Sequence, residues 1–298
     1  MRIRVSIPAQ TLEVRDDDGK LLHRYSISTA RNGAGEQRGS YRTPRGRHIV
    51  RARIGAGQPE NAVFVRRRPT GEIWSPEFAA ANPDRDWILT RILWLSGKEP
   101  GFNRGGEVDT MRRYIHLHGC PDAVDMGTPG SIGCVRMRNR DIVELFDLVP
   151  VYTPVDIVEF GLETGTWDAL AGAARPVRET VFIQEQKVPA EMEIDEFDAS
   201  SQHAVARGPA GEPIGTGRLL PDGHIGRMAV LPEWRGKGVG RALLESLMDK
   251  AREQGLWHLA LNAQLSATGF YERFGFVAEG ETFMDADIPH IRMSRSLS

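Results

Sequence analysis

Residues 228–244, Met228-Ala-Val-Leu-Pro-Glu-Trp-Arg-Gly-Lys-Gly-Val-Gly-Arg-Ala-Leu-Leu244, run from an apolar strand through a glycine-rich turn into the opening of a helix. Glycines at such a junction let the backbone wrap closely around a phosphate, and the free first-turn amides with the helix dipole favour its negative charge. Arg235, Gly238 and Gly240 form Arg-x-x-Gly-x-Gly. A dinucleotide fingerprint needs Gly-x-Gly-x-x-Gly and a P-loop needs Gly-Lys-Ser/Thr, whereas Lys237 here is followed by Gly238. Strand-like runs at 203–207, 213–220 and 224–231 come before an amphipathic helix over 239–254. A strand over 256–263, a short helix near 267–274 and closing strands follow. Antiparallel strands leading into a β-helix-β unit predict a mixed α/β sheet with flanking helices.

Upstream the grammar differs. Arg2-Ile-Arg-Val-Ser-Ile and Thr11-Leu-Glu-Val alternate as strands, Asp18-Gly19 is a hairpin turn, and His48-Ile-Val-Arg-Ala-Arg is again a strand. One helix is predicted over Asp141–Val149, with Asn139 as its N-cap and Pro150 and Pro154 as its stop. The first 160 residues are therefore expected to be mainly β with short helices. Residues 161–173 mark the junction, and a helix follows through Val177 to Glu185. The division expected is a domain over 1–160, a linker over 161–174 and a second domain over 175–298.

At 298 residues the chain exceeds what one core comfortably serves. Hydrophobic residues at 40% and charged residues at 26% describe an ordinary globular protein, which excludes a low-complexity or disordered class. The net charge of −2 divides into +4 over 1–160 and −6 over 161–298. The basic residues of the first half are scattered, so nucleic acid is not an expected partner. No run reaches the roughly 18 apolar residues of a membrane span, and Met1-Arg-Ile-Arg-Val-Ser-Ile-Pro lacks a signal-peptide core, so a cytoplasmic location is expected. In that compartment the two cysteines, Cys120 and Cys134, read as thiols.

Tyr114-Ile-His-Leu-His-Gly reads as a strand with Tyr114, His116 and His118 on one face and Ile115 and Leu117 toward the core. Ser131-Ile-Gly-Cys-Val-Arg-Met then places a thiol beside a small neighbour that admits a substrate carbonyl. A cysteine nucleophile needs an imidazole to take its proton, and His118 is the natural base. Zinc is the rival reading of His116, His118, Cys120 and Cys134, but three of these lie at spacing two on one strand and no second pair accompanies Cys134, so no metal is expected.

These residues resemble the L,D-transpeptidase (YkuD-like) family, whose His-Gly and Ser-x-Gly-Cys-x-Arg motifs stand sixteen positions apart, as His118 and Cys134 do. Ile92-Leu-Trp-Leu-Ser-Gly, Gly105-Gly and Arg136-Met-Arg-Asn continue the likeness across most of 1–160. The resemblance implies a β-sandwich or barrel in which Cys134 is acylated, His118 is the base, and amides around Gly133 and Cys134 receive the oxyanion. It also implies peptidoglycan peptides as substrate, with Ser131, Gly119 and Arg136 near them; Arg136 either binds a carboxylate or braces the loop. Many members have Ser-His-Gly-Cys where this chain has Ile132. A degenerate domain that only binds such peptides is therefore the alternative.

The second half resembles the GNAT acetyltransferases through its glycine loop, Leu261-Asn-Ala-Gln and Phe270-Tyr-Glu-Arg-Phe-Gly-Phe276. The resemblance implies acetyl-coenzyme A as co-substrate, held by Met228, Val230, Arg235, Gly236, Lys237, Gly238, Val239, Gly240, Arg241 and Asn262. Tyr271 matches the acid that protonates the departing thiolate, or else it packs on Phe276. His224, four residues before Met228, is the candidate base for an unidentified small-molecule or peptide amine, or a solvated strand end. Val181-Phe-Ile-Gln-Glu185-Gln186, Asp195-Glu-Phe-Asp198 and Ile288-Pro-His290 resemble segments of a subgroup of small GNAT proteins and are read as lining the acceptor pocket, with surface charge the other reading of the acids. Two enzymes on one chain are thus expected, a cysteine L,D-transpeptidase or L,D-carboxypeptidase and an N-acetyltransferase.

Overall fold

The computed structural model describes residues 1–83, 85–193 and 195–297. The chain divides into two compact units, one formed by Met1–Asp17 with Leu21–Glu159, the other by Asp18–Lys20 with the chain from Phe160 onward.

The first unit is built on ten strands: β1 (Arg2–Ser6), β2 (Thr11–Arg15), β3 (Leu21–Ser26), β4 (Gly46–Ile54), β5 (Ala62–Val65), β6 (Arg68–Ile73), β7 (Ile88–Gly97), β8 (His116–Gly119), β9 (Val135–Met137) and β10 (Pro154–Val158). The helices α1 (Pro76–Ala80) and α2 (Asn139–Leu148) complete it. The strands form one hydrogen-bonded sheet in the order β3-β2-β1-β10-β4-β7-β5-β6, with β8 branching from β7 and carrying β9 on its other edge. The expected hairpin across Asp18-Gly19 is present, with β2 and β3 antiparallel. β1 and β10 are parallel, with Ile3 opposite Val155 and Ser6 opposite Val158. Period-two alternation sends Ile3, Val5, Leu12, Val14, Leu93, Leu95, Leu117 and Val135 into the core. Ile142, Leu145 and Phe146 of α2 join the same cluster.

The N-cap expectation needs correcting. The helix already includes Asn139, and the cap position is Arg138. The Asn139 amide is buried instead, accepting from Thr90 Oγ1 at 2.6 Å and donating to Asn61 Oδ1 at 2.8 Å and the Cys120 carbonyl at 3.1 Å. Satisfying three polar groups, two of them buried, outweighs a capping role that any neighbouring polar group or water could fill.

The second unit contains β11 (Gly161–Thr166), β12 (Gln202–Arg207), β13 (Pro213–Leu219), β14 (Ile225–Val230), β15 (His258–Gln264), β16 (Val277–Asp285) and β17 (Ile288–Ser296). Its helices are α3 (Trp167–Arg178), α4 (Ala190–Glu193), α5 (Val239–Glu253) and α6 (Thr268–Glu272). The expected linker over 161–174 is overturned. β11 pairs antiparallel with β12 from Gly161 to Thr166, and Trp167, Leu170, Ala173 and Ala174 of α3 pack with Val205. Glycine, threonine and alanine suggested a connector, but here the small side chains let a helix lie close to a sheet. Beyond Pro176 the helix widens into a π-helix over Glu179–Glu185.

β11-β12-β13-β14 form one sheet and β15-β17-β16 another. Between β14 and β15 a single parallel bridge joins His224 to Ala260. The register of β14 on β13 shifts between Thr216 and Arg218, where Arg227 takes a left-handed φ of 51°. This bulge bends β14 away from its neighbour. Asp198 is neither surface charge nor pocket lining: it is buried, bonded by Arg178 at 2.8 Å and Arg218 at 2.7 Å. Arg178 also pairs with Glu193, and Arg218 with Asp195 at 2.6 Å.

Candidate active sites

In the first unit the site lies on β8 and β9, which run parallel with Leu117 opposite Val135 and His118 opposite Arg136. Since Leu117 and Val135 enter the core, the register puts His116, His118, Cys134 and Arg136 on the opposite face. Tyr114, expected on that strand face, precedes the strand with a left-handed φ of 59° and is exposed. Its ring stacks on Trp94, and the Arg67 guanidinium lies 4.4 Å from the Trp94 ring centroid and 4.5 Å from that of Tyr114.

His118 is buried, and its Nδ1 lies 2.8 Å from the Gly119 carbonyl. A carbonyl only accepts, so Nδ1 carries the proton and Nε2 has the free lone pair. Burial pushes the His118 pKa down, while the Gly119 carbonyl and the Asp86 carboxylate work in the opposite sense. Cys134 is half-buried; its Sγ accepts from the His116 amide and donates to the Tyr114 carbonyl, each at 3.4 Å. Burial pushes the Cys134 thiol up to about 12, against the His116 amide that favours the thiolate.

Two expected substrate contacts serve the frame instead. Gly119 is buried, and a Cβ on it would lie 2.4 Å from Asn139 Oδ1 and 2.8 Å from the Leu89 carbonyl. Ser131 is buried, donating from Oγ to the Cys134 carbonyl at 2.5 Å and accepting from the Gly133 amide at 3.2 Å. The Gly133 amide, expected at the oxyanion, is therefore committed to Ser131. Gly133 itself has a φ of 139°, a conformation for glycine, and its carbonyl accepts from Thr43 Oγ1 at 3.0 Å. Arg136 braces: it bonds Asp86 at 2.6 Å and the Gly130 carbonyl at 3.3 Å. The sequence reading missed Asp86 and Thr43, which carry no spacing relation to the motif. Among the described residues no group of three or more His, Cys, Asp or Glu is placed to hold a metal.

In the second unit a cavity of about 320 Å³ opens where β14 and β15 part, and His224, Met228, Asn262 and Tyr271 all line it. Phe182, Gln186, Ile288 and His290, from two of the segments expected at the acceptor pocket, also line it, and so do Glu193 at the end of α4 and Arg227 at the bulge, which were not foreseen. Burial lowers the His224 pKa against the pull of Asp222, and burial raises Tyr271 to about 12. His224 is thus a neutral imidazole at pH 7 and Tyr271 a protonated phenol. Tyr271 also meets Phe276 edge-on with centroids 6.1 Å apart, so it packs and lines the cavity at once.

Gly238 caps α5 in the left-handed region at φ 86°, and the amides of Val239, Gly240 and Arg241 form the first helical turn. Nothing lies within 4 Å of a Cβ position on Gly236 or Gly238, so the loop is open on that side. Lys237 sits over the Trp234 ring at 4.8 Å. Arg235 holds the Val230 carbonyl at 3.0 Å and both oxygens of Glu185 at 2.7 and 2.6 Å. An open loop with free first-turn amides at a helix terminus suits an anion such as a phosphate.

The L,D-transpeptidase catalytic domain family, YkuD, matches residues 1–157, and the acetyltransferase (GNAT) domain family matches residues 164–297. The uncharacterized N-acetyltransferase YjcF of Bacillus subtilis is 41% identical over 40% of this chain and 87% of its own. The uncharacterized protein YyaT of the same organism is 34% identical over 45% of this chain and 93% of its own. Among solved structures, an acyl-CoA N-acyltransferase from Pseudomonas aeruginosa is similar over 46% of this chain and 99% of its own, at 31% identity and a TM-score of 0.43.

Proposed function

We infer, from a chain that belongs to the YkuD L,D-transpeptidase family through its first half and to the GNAT acetyltransferases through its second, a bifunctional acyl-transfer enzyme. In the first domain the Cys134 thiolate attacks the carbonyl between the L-centre of meso-diaminopimelate and a terminal D-Ala in a peptidoglycan peptide. The C–S bond forms, the carbonyl pair moves to oxygen, and collapse expels D-Ala, whose nitrogen takes the proton that His118 removed from the thiol. Water then releases the acyl group, making an L,D-carboxypeptidase, or a second amine does, making a transpeptidase. The observation that carries this reading is the His118 Nδ1 contact with the Gly119 carbonyl, which leaves Nε2 basic on the face shared with Cys134. A thiol-acylating carbapenem should form a stoichiometric adduct on Cys134, and Cys134→Ala should abolish both adduct and D-Ala release. Full activity in that variant would sink the assignment.

One observation favours the second reading, a domain that binds peptides without being acylated: the Cys134 thiol is pushed up to about 12 and hydrogen-bonded to a backbone carbonyl. Absence of the adduct in the wild-type chain would select it.

In the second domain an amine attacks the thioester carbonyl of acetyl-coenzyme A. The C–N bond forms as the C–S bond breaks, His224 takes the amine proton and Tyr271 protonates the departing thiolate. Support comes from the single cavity that brings His224, Met228, Asn262 and Tyr271 together. Since the acetyl donor is a cytoplasmic metabolite, both reactions are placed there, on soluble peptides. Incubation with tetrapeptide and labelled acetyl-coenzyme A, followed by mass spectrometry, tests both halves. Label in no amine product across a peptide and small-amine panel would overturn the acetyltransferase reading.

A further inference from the structure

The side chain of His116 has no place in the chemistry just described, and it is not explained by packing. It is 2% exposed, and among the described residues neither ring nitrogen has a hydrogen-bond partner. Burying a polar atom unpaired is destabilising, so two such atoms on one ring call for an occupant that pairs them. The ring meets Trp94 edge-on with centroids 5.9 Å apart, which supplies contact and no acceptor. The surroundings define the occupant. One step before the Leu117–Val135 pair, His116 stands opposite Cys134, and its amide reaches Sγ at 3.4 Å. It also shares the outer face of β8 with His118. Any carbonyl brought against Sγ therefore arrives beside His116.

The site is short of a donor at this point, because the Gly133 amide is spent on Ser131 Oγ. We propose that the His116 side chain donates a hydrogen bond to the carbonyl oxygen of the acyl donor as Cys134 attacks it, supplying the oxyanion contact that Gly133 does not. The inference rests on the acyl-transfer reading of Cys134. As the C–S bond forms and the carbonyl π pair moves onto oxygen, the N–H of a neutral imidazole meets the growing charge without giving up its proton. When the intermediate collapses, the pair returns, the amine leaves with the proton carried by His118, and His116 is unchanged.

The two histidines are suited to different work. His118 holds its Nδ1 against the Gly119 carbonyl, with the Asp86 charge in reach, so an imidazolium there is supported as it forms. His116 has neither; burial pushes its pKa down to about 3, and the charges of His118 and Arg67 act in the same sense. A ring kept neutral is a poor proton carrier but always retains one N–H.

The test separates reactions that build an oxyanion from one that does not. Carbapenem acylation of Cys134 passes through a tetrahedral oxyanion, whereas alkylation of the same sulfur by iodoacetamide occurs at a saturated carbon. Both rates are followed by mass spectrometry of the Cys134 peptide from the full chain, with a thermal melt for each variant. His116→Phe should slow acylation about 10²–10³-fold and leave alkylation within about two-fold. His116→Asn, which keeps an N–H, should recover part of the loss, and His118→Ala should slow both reactions. His116→Leu replaces the Phe variant if the latter does not fold. Unchanged acylation in the folded donor-less variant overturns the proposal, as does an equal loss in both reactions, which would mean that His116 acts on the sulfur. A wild-type chain that is alkylated but never acylated overturns the acyl-transfer reading itself, and this inference with it.

Discussion

Gly119 carries two duties at one position. Its carbonyl orients His118, and its missing side chain admits Asn139 and the Leu89 backbone. Gly119→Ala should cost about 1–3 kcal/mol of stability through overpacking and should also weaken carbapenem acylation, measured by melt and adduct formation. A stable, fully reactive variant would show that the strand yields there. Cys120 provides the internal control for the nucleophile: it is buried, donates to the Met137 carbonyl, and burial pushes its thiol up to about 12. Cys120→Ala should therefore leave acylation of Cys134 intact; if it is the inactivating change, the nucleophile is misassigned. Tyr271→Phe keeps the ring on Phe276 and deletes the hydroxyl, so acetyl transfer should fall about 10²–10⁴-fold while the melt and cofactor affinity hold. Undiminished turnover would eliminate Tyr271 as the acid. That Cys134 and His118 share one sheet face and that His224 lines the cavity was legible, because each depends on residue type and spacing. The commitments of the Gly133 amide and the Asn139 side chain were not, because each is decided by a partner distant in sequence or by the direction of one hydroxyl.

The elements of the second unit show the same limit in another form. Periodicity located α5 and the strands about it, since an apolar face repeats regularly, but it could not reveal the bulge at Arg227 or the π-turns after α3. Both lie beside the cavity, and each departs from the repeat on which a sequence reading depends. Charge was misread for a related reason. Asp195 and Asp198 look like surface residues until Arg178 and Arg218, from α3 and β13, are brought against them. Burial alone would raise the pKa of both acids, but their hydrogen bonds and ion pairs with these arginines outweigh it and hold both low. A lowered folded-state value stabilises above the ordinary value of 3.8 and is lost as pH falls below it. The melt of the acetyltransferase unit should accordingly drop on acidification through that window. Arg178→Met should cost about 3–5 kcal/mol at neutral pH by stranding buried carboxylates; a loss under about 1 kcal/mol would mean that water reaches them.

At the scale of the whole chain, two sets of motifs, each complete within its half, announced two folds, and the structure divides the chain accordingly. The boundary was displaced because Gly161-Leu-Glu-Thr-Gly-Thr has the composition of a connector, while its backbone is committed to β12. Only Glu159 and Phe160 stand between the last strand of one sheet and the first of the next. Proteolytic or genetic division after Glu159 should hence yield two fragments that each fold, and a cut between 161 and 173 should not; soluble, cooperatively melting fragments from the latter cut would show that β11 is dispensable. The parallel pairing of β1 with β10 bears on how the first sheet would answer mechanical tension. A pull applied between Arg2 and Val158 draws the beginning of one strand against the end of its parallel neighbour. The rungs from Ile3–Val155 to Ser6–Val158 are then loaded together, in shear, while β4 grips the far edge of β10. The β2–β3 hairpin pulled at Thr11 and Ser26 would instead peel one rung at a time. Tension between the two ends of the first unit is thus carried by the pair of strands that begins and ends it.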